Sequence, residues 1–462
     1  MQLLPERAEV RALIQLAIPI VSVQVGMMLM GVVDTIMVGH ISAAALAAVA
    51  LGNLFYFAIA IFGMGVLYAL DPVISQAVGA GDQPAISRAV QRGFIIAVGI
   101  TAILSVIFFL TRPILEGLHQ PPDVIPLAVN YVYVVAPSIL PLLAFIVLRQ
   151  TLQSMGRIRP IIWTIVGANL MNWFFNWVFI YGKFGAPKLG VVGSALATTL
   201  SRFAMFFALL LLGWSLLQPH LQLRRDSFAM KPIGRMLKLG LPIGIGQFFE
   251  YANFGGIAIL MGLLGMNEMA AHQVAINIAS FTFMVPAGVA SAAAVLVGNA
   301  IGRGDPDGAR RAAKASLAVG AGFMVMSAAL MVVIPHQLAG VYTNDAGVLA
   351  IAVVLLPIAG LFQVFDGVQV VGAGVLRGTG DTRVPMLIAL AGFWIVGMPI
   401  SVYFGLYTPA GAAGLWWGFV AGLAAVAIFL LFRIKHRFSG ELTRIIMDDH
   451  HHAVPPVMAG DV

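Results

Sequence analysis

The sequence predicts an all-α integral membrane protein with twelve transmembrane helices in two six-helix lobes. Three observations predict this fold class. Of the 462 residues, 60% are hydrophobic and 10% are charged, whereas about a quarter of the residues in soluble domains are charged. Apolar runs of about 20 residues, the length that crosses a bilayer, recur along the whole chain. Finally, the second half of the chain repeats the first.

Four groups of residues recur in the same order in the two halves. The first two share an offset of 223 residues, and the later two deviate slightly from it. A duplicated unit of about 220 residues explains the match. The matching groups are 16–20 with 239–243, 79–82 with 302–305, Gly156, Arg159 and Pro160 with Gly380, Arg383 and Pro385, and Phe184, Gly185 and Gly193 with Phe404, Gly405 and Gly414. Six spans per copy make the halves parallel repeats about an axis along the membrane normal, with a cleft between them.

Twelve apolar spans are centred near residues 24, 58, 102, 139, 171, 203, 250, 286, 325, 360, 395 and 423. Because their number is even, both termini lie on one side of the membrane. Most basic residues fall on that side, and only Arg112, Lys183 and Lys188 fall on the other. Short cytoplasmic loops are the ones enriched in Lys and Arg, so both termini are expected in the cytoplasm. This bias also explains the net charge of +7, and we expect no nucleic-acid partner.

The duplication divides the chain into two lobes and two shorter segments. We expect an N-terminal lobe over 1–216, a cytoplasmic linker over 217–238, a C-terminal lobe over 239–436 and a cytoplasmic tail over 437–462. The chain has no cysteine, hence no disulfide or thiolate metal site. It has no G-x-x-x-x-G-K-S/T motif, so we expect neither a nucleotide energy source nor any other cofactor. We also expect no cleaved signal peptide, because the first span is too long for one.

Polar residues in two spans of the first half are candidate site residues. Asp34 lies in span 1, where a carboxylate costs about 3 kcal/mol on insertion scales. That cost favours a function, and the alternative is that Asp34 reaches interfacial water at the outer end of its helix. Asn172 and Asn176 in span 5 are four residues apart and share a helix face. Such a face either joins helices or lines a water-filled cavity, and we expect it to line the cavity.

Two further charges in the first half have open roles. Span 2 contains Asp71 beside Pro72, and the proline is expected to kink the helix because it frees a backbone carbonyl one turn back. Asp71 either lines the cleft and serves the mechanism, or anchors the inner end of the span near Arg88 and Arg92. Arg202 lies near the middle of span 6, where a guanidinium needs a partner or water. We expect an acid of the same lobe as its partner.

Two carboxylates lie in apolar spans of the second half. Glu250 is about 21 Å along span 7 at a rise of 1.5 Å per residue, past the bilayer midplane and out of reach of water. Asp366 in span 10 is spaced three residues from both Gln363 and Gln369, so the three share one face. Both acids are therefore candidates for binding a cation.

Span 8 contains further polar residues. Gln273 and Asn277, together with Gln363 of span 10, are expected to line the cleft. His272 is either a structural histidine or a proton carrier. Pro286 predicts a bend in the same span. The three histidines at 450–452 lie in the polar tail, where weak surface metal binding is the most that the composition supports.

Four motifs resemble the multidrug and toxic compound extrusion (MATE) transporters, most closely their NorM-type branch. They are VDTIM at 33–37, NWVFIYGKFG at 176–185, AHQVAIN at 271–277 and LRGTGD at 376–381. The resemblance implies two lobes forming a V, and export of organic cations in exchange for Na⁺ or H⁺. It also implies that Asp34 is the N-lobe acid and that Glu250 and Asp366 are the C-lobe acids of cation coupling, where Na⁺ would bind. Asp71 departs from the NorM-type pattern, which is apolar there, and resembles the eukaryotic branch.

The expected function is therefore secondary active multidrug efflux by a monomer in the cell inner (plasma) membrane, and not an enzymatic activity. A competing hypothesis is a lipid-linked oligosaccharide flippase of the same superfamily, whose cleft should be ringed with Arg and Lys to hold a pyrophosphate. The deep charges here are mainly acidic, which argues against a flippase. A passive pore and an intramembrane enzyme are the remaining hypotheses. The sequence contains no metal-ligand cluster or nucleophile–base pair that would support an enzyme.

Overall fold

A computed structural model describes residues 6–118 and 120–448, and these residues form helices and connecting turns without any β-strand. The helices of the first half are α1 (Arg7–Gly39), α2 (Ala43–Leu67), α3 (Leu70–Gly79), α4 (Gln83–Phe109), α5 (Thr111–Gly117), α6 (Ile125–Val135), α7 (Ile139–Ser154), α8 (Arg159–Tyr181), α9 (Val191–Leu212) and α10 (Trp214–Leu221). Those of the second half are α11 (Met230–Leu264), α12 (Met266–Gly302), α13 (Pro306–Val333), α14 (Pro335–Gly340), α15 (Ala346–Gly378), α16 (Arg383–Leu390), α17 (Met398–Leu406) and α18 (Gly411–Ser439).

These helices make twelve spans, six in each half, and the predicted fold class is confirmed. Ten spans are long and apolar enough to cross a membrane by length and composition alone. The other two are α8 and α11, which have 23 and 35 residues and carry predicted site residues. Three spans are composite: α2 with α3, α6 with α7, and α16 with α17, the last pair joined by a π-helical segment, Ala391–Gly397.

The predicted interruption at Pro72 is present. The first part of span 2 ends at Leu67 and the second begins at Leu70. Pro72 has no N–H to donate to the Tyr68 carbonyl, which accepts instead from the backbone N–H of Asp71 at 3.1 Å. The break therefore lies directly beside a predicted site residue.

The two copies of the repeat share the same turn after their second span. Gly81 and Gly304 both have positive φ, at 69° and 71°, a conformation that favours glycine. Asp82 and Asp305 then cap the next helix, each accepting a hydrogen bond from the backbone N–H three residues on, at 3.0 and 2.7 Å. The two copies of the sequence repeat therefore also share this local conformation.

Equivalent residues of the two copies also meet each other. The α1 helix packs along α12, α2 packs along α11, and α3 packs along α12. A Cβ atom at Gly79 would clash with the carbonyl oxygen of Asn299, and one at Gly302 would clash with that of Gln76. Since 76 and 79 correspond to 299 and 302 under the offset of 223, the contact is reciprocal. The pseudo-twofold axis therefore passes through this contact.

One matched group in the sequence repeat is wrong. Phe184 lies in the loop after α8 with φ of 53°, whereas Phe404 lies within α17. The structural counterpart of Phe404 is Phe179, because the carbonyl oxygens of these two residues face Gly414 and Gly193, respectively. The loop before Gly193 is longer than the loop before Gly414, so the sequence match was shifted into it.

Each lobe has its own apolar core. Tyr56, Tyr131 and Phe145 are fully buried in the first half, and Phe362 and Trp416 are fully buried in the second. Much of the predicted linker is helical, since α10 extends to Leu221 and α11 begins at Met230. After α18 the chain is extended as far as residue 448, and the histidines at 450–452 lie outside the described residues.

Candidate functional site

The lobes contact each other toward one end of the bundle. We call it the basic end: it is where α1 begins and α18 ends, and it carries most of the arginines. Asp71 and Arg377 form an ion pair across the lobes at this end. Toward the opposite end, the contacts between α2 and α11 extend to the rings of Phe57 and Tyr251, whose centroids are 5.6 Å apart.

Gln273 and Asn277 lie closer to the opposite end. They share a face of α12 with Gly288, which packs against Val21 of α1 in the other lobe. Gln273 is exposed and Asn277 is half-buried. Their helix face thus points toward the N-terminal lobe, and the cleft-lining position stays a prediction.

The N-lobe acid is fully enclosed by hydrogen-bond donors. Asp34 Oδ1 accepts from Nδ2 of Asn172 at 3.0 Å and of Asn176 at 2.6 Å. Its Oδ2 accepts from the Thr198 hydroxyl at 2.9 Å. All four side chains are buried, so Asp34 does not reach interfacial water. The shared face of Asn172 and Asn176 holds a carboxylate from a neighbouring helix, so it joins helices and does not line a water-filled cavity as expected.

Arg202 has a different partner from the expected acid. Its guanidinium donates to the Ser138 hydroxyl at 2.8 Å and lies 4.3 Å from the centroid of the Tyr56 ring. Among the described residues no carboxylate lies within ion-pair distance of it. Cation–π contact and one hydroxyl group stabilise the charge instead. Arg202 lies one turn from Thr198 on α9, so the acid and the guanidinium belong to one polar cluster of the N-terminal lobe.

The C-lobe acids come from two different helices of that lobe. Glu250 on α11 and Asp366 on α15 are close enough to repel each other electrostatically, and the Gln369 side chain neighbours Glu250. Asp366 is 4% exposed. Glu250 is half-buried, and two carboxylates at short range disfavour double ionisation unless a cation lies between them.

Buried oxygens without donors lie on the same two helices as this pair. Oδ1 of Asp366, Oε1 of Gln369 and Oδ1 of Asn253 have no hydrogen-bond partner. Such atoms are costly unless something fills their coordination. Within the described residues, no group of three or more His, Cys, Asp or Glu could hold a metal ion. A cation here would therefore be shared between two carboxylates and amide oxygens, which suits a hard monovalent ion or a proton.

Gln363 is used differently from its prediction. It is fully buried, accepts from the Ser327 hydroxyl at 2.8 Å, and donates to the Ala279 carbonyl at 3.1 Å and to the Thr282 hydroxyl. Its amide therefore joins three helices within the C-terminal lobe rather than lining the cleft. Gln363 shares a helix face with Asp366, but at Gln363 this face packs against α12 and α13.

His272 is also buried inside the C-terminal lobe. Its ring packs on Trp416 with centroids 5.7 Å apart, and its Nδ1 has no hydrogen-bond partner. No carboxylate lies within ion-pair distance of it among the described residues. This arrangement favours a structural role for His272. The α12 helix that carries it continues through Pro286 without interruption.

Asp71 does not bind Arg88 and Arg92. Those arginines bind Asp448 of the extended C-terminal segment, at 2.7 and 2.6 Å. Burial opposes ionisation of Asp448, but the hydrogen bonds and charges of Arg92 and Arg88 outweigh it and lower its pKa. Asp71 is 1% exposed and instead accepts a hydrogen bond from Gln150 and pairs with Arg377 of the other lobe. Neither role expected for Asp71 included this partner.

Twelve membrane-spanning helices in two lobes, with buried carboxylates in each lobe, define a membrane transporter and not an enzyme. The family model described as MatE matches residues 19–178 and 242–403. A probable multidrug resistance protein NorM from Rhizobium meliloti is 36% identical, over 93% of this chain and 94% of the relative. The multidrug resistance protein MdtK of Edwardsiella ictaluri is 35% identical, over 92% and 95%. The chain therefore belongs to the MatE family.

Solved structures agree in fold. The crystal structure of the eukaryotic MATE transporter AtDTX14 matches with a TM-score of 0.84 at 21% identity, over 93% of this chain and 96% of that one. A transporter of the MOP superfamily from Pyrococcus furiosus, described by a binding pocket of reversed polarity, matches with a TM-score of 0.81 at 19% identity, over 93% of this chain and 96% of that one. At such identities the likeness concerns the fold alone.

Several residues of the site give little signal in sequence. Thr198 and Asn253 are uncharged polar residues within helices, and such residues more often bond their own backbone. Arg377 lies in a basic turn and is expected to face the cytoplasm. Its contact with Asp71 joins residues 306 positions apart, so no local pattern indicates it.

Proposed function

We propose that this transporter exports organic cations and drugs by antiport with Na⁺ or H⁺. The observation that carries the proposal is the pair of carboxylates Glu250 and Asp366 on apolar helices that also carry buried oxygens without hydrogen-bond donors. Relatives at about 35% identity named multidrug resistance proteins support drugs as the exported class. A carboxylate pair that must bind and release a cation in each cycle couples ion entry to drug exit.

The N-terminal lobe is the proposed site of drug binding. Asp34 accepts hydrogen bonds from three neutral donors, and these donors offset part of the cost of a buried negative charge. A cationic drug in the cleft is attracted to it. Drug and coupling cation then compete without sharing a ligand, because each stabilises a different opening of the two lobes.

We place the basic end of the bundle in the cytoplasm and the protein in the inner (plasma) membrane. The excess of Arg and Lys at that end supports this orientation. Reporter tags in the linker near Arg224 and after residue 448 should both give cytoplasmic signals. Opposite sidedness of the two tags would refute the orientation. Since one chain supplies both lobes and the cleft, we propose a monomer.

The decisive measurement uses purified protein loaded with Na⁺ or held at controlled pH. Addition of an organic cation should release Na⁺ or protons, and a gradient of the same ion should drive drug transport in vesicles. The ion that is released identifies the coupling cation. Drug flux at full rate without any ion gradient would instead indicate a passive pore.

A further inference from the structure

A buried cluster at the basic end contains one acid and two arginines. Asp71 Oδ2 lies 3.1 Å from Nε of Arg377, which comes from the other lobe. Arg149, on α7 of the same lobe as Asp71, is also close enough to attract this carboxylate. Both guanidinium groups lie near the Tyr68 ring, at 5.4 Å from its centroid for Arg377 and 5.9 Å for Arg149. Two cations therefore compete for one anion.

The two arginines are unequally satisfied. Arg149 is 4% exposed, and its contacts are long and neutral: Gln24 at 3.4 Å, the Tyr68 hydroxyl at 3.5 Å and the Met27 sulfur at 3.6 Å. Its Nε has no partner at all. A buried guanidinium that has only long contacts to neutral groups is costly in free energy unless a carboxylate becomes available. Asp71 is the only acid that both arginines approach among the described residues.

The pair with Arg377 is itself incomplete. The Nε–Oδ2 distance is that of an ion pair, but the group lacks the alignment of a hydrogen bond. The other oxygen of Asp71 is held by Gln150 at 2.6 Å, within the N-terminal lobe. Gln150 follows Arg149 on α7, so Asp71 is already oriented by the helix that carries the competing arginine.

We propose that Asp71 exchanges partners during transport: it pairs with Arg377 while the lobes are closed at the basic end, and with Arg149 when they separate there. Asp71 keeps a positive partner in both states. Arg377, which is 13% exposed, enters water as the lobes part. This inference rests on the proposed function in one respect, namely that the lobes separate at the basic end during transport.

The exchange is connected to the cation site through one helix. Asp366 and Arg377 both lie on α15, eleven residues apart, which places them on the same face about 16 Å from each other along the axis. A tilt of α15 when a cation binds at Asp366 displaces Arg377 relative to Asp71. The two arginines are therefore positioning residues of opposite effect: Arg377 favours the closed basic end and Arg149 favours the open one.

The test uses thiol labelling, because the chain has no cysteine. Ser75→Cys places a thiol on the buried face of α3 that meets Gly298 of the other lobe. Opening of the basic end exposes this thiol to a water-soluble maleimide. The measurement needs neither drug nor ion gradient, so its outcome is independent of whether the transport assay succeeds.

In the Ser75→Cys protein, Arg377→Gln and Asp71→Asn should each raise the labelling rate about tenfold or more, since a buried pair loses one member. Adding Arg149→Gln to Arg377→Gln should lower the rate again, because Asp71 then has no partner in the open state either. The matched control Arg112→Gln, in an exposed pair at the opposite end, should leave the rate unchanged. Elution as a single folded species is checked for each variant.

Two results overturn the exchange. The first is an unchanged labelling rate in Arg377→Gln, which decides the matter even if Asp71→Asn does not fold. The second is a rate that rises further when Arg149→Gln is added, because both arginines would then hold the lobes closed.

Discussion

The carboxylates of the two lobes lie in opposite environments. Asp34 accepts three hydrogen bonds from neutral donors, whereas Asp366 has an oxygen without any donor and faces a second acid, Glu250. The first environment surrounds a carboxylate with hydrogen-bond donors, and the second leaves a carboxylate oxygen without any. The difference teaches that burial alone does not define a coupling site, since the donors around a carboxylate decide what it binds.

The difference arose after the duplication. The position equivalent to Asp34 is Ile257, which is 1% exposed in the core of the C-terminal lobe. The position equivalent to Glu250 is Met27, whose sulfur contacts Arg149. Neither acid has an acidic counterpart in the other lobe. The two copies therefore share the repeated backbone but differ in their site residues.

The largest expected effect is the loss of coupled efflux in Glu250→Gln. A neutral amide neither repels Asp366 nor exchanges a cation, so ion-driven drug efflux should fall by about a hundredfold or more while the protein stays folded and inserted. Efflux is measured in vesicles at equal protein content. Glu116→Gln, which removes an exposed acid of the same type, is the control and should transport normally. Ion-driven efflux at the parental rate in Glu250→Gln would contradict the assignment of the coupling site.

The second prediction moves an acid to the equivalent place in the other lobe. Ile257→Asp puts a carboxylate where no Asn or Thr donors converge, and it should destabilise the protein by about 3 kcal/mol or more. Thermal unfolding of purified protein measures the effect, with Ile257→Val as the conservative control. If Ile257→Asp were as stable as the parent, the donors around Asp34 would not be what distinguishes the lobes.

The third prediction sharpens the comparison through a double-mutant cycle on cation affinity. Glu250→Gln and Asp366→Asn should weaken binding non-additively, with a coupling of about 1–3 kcal/mol, because both acids contribute to one site. Asp34→Asn should weaken drug binding and show little coupling to either. Equal coupling of Asp34 and Asp366 to Glu250 would mean one shared site across the lobes.

The smallest expected effect concerns Thr198, the one donor to Asp34 that is not an amide. Thr198→Val conserves volume and removes one hydrogen bond, and we expect a loss of about 1 kcal/mol in drug affinity or stability. Calorimetric titration and thermal unfolding both report it. Thr199→Val removes a hydrogen bond to the Val134 carbonyl next to the site. It should cost similar stability but leave drug affinity unchanged, so an equal loss of affinity in the two variants would argue against a role of Thr198 at Asp34.

Sequence reasoning predicted the fold well, because composition and duplication are properties of the whole chain. It also found the three acids Asp34, Glu250 and Asp366 within apolar spans, since a carboxylate in such a span stands out. It failed where partners come from distant helices: Arg202 binds Ser138 and Tyr56 rather than an acid, and Asp71 pairs with Arg377. Gln363 shares a periodic face with Asp366 but packs between helices, because periodicity gives a direction and not the neighbour found there.

The polar residues in α8 and α11 have a consequence for how the chain enters the bilayer during synthesis. By length and composition alone, these two spans do not qualify as helices apolar enough to cross a membrane. Asn172 and Asn176 lie in one of them and Glu250 lies in the other. The ribosome-bound translocation channel presents each span to the lipid before the rest of its lobe has been synthesised. Neither α8 nor α11 should therefore insert efficiently alone. We expect α11 fused to a glycosylation reporter to insert poorly unless α12 follows it. Efficient insertion of isolated α11 would show that its apolar residues suffice.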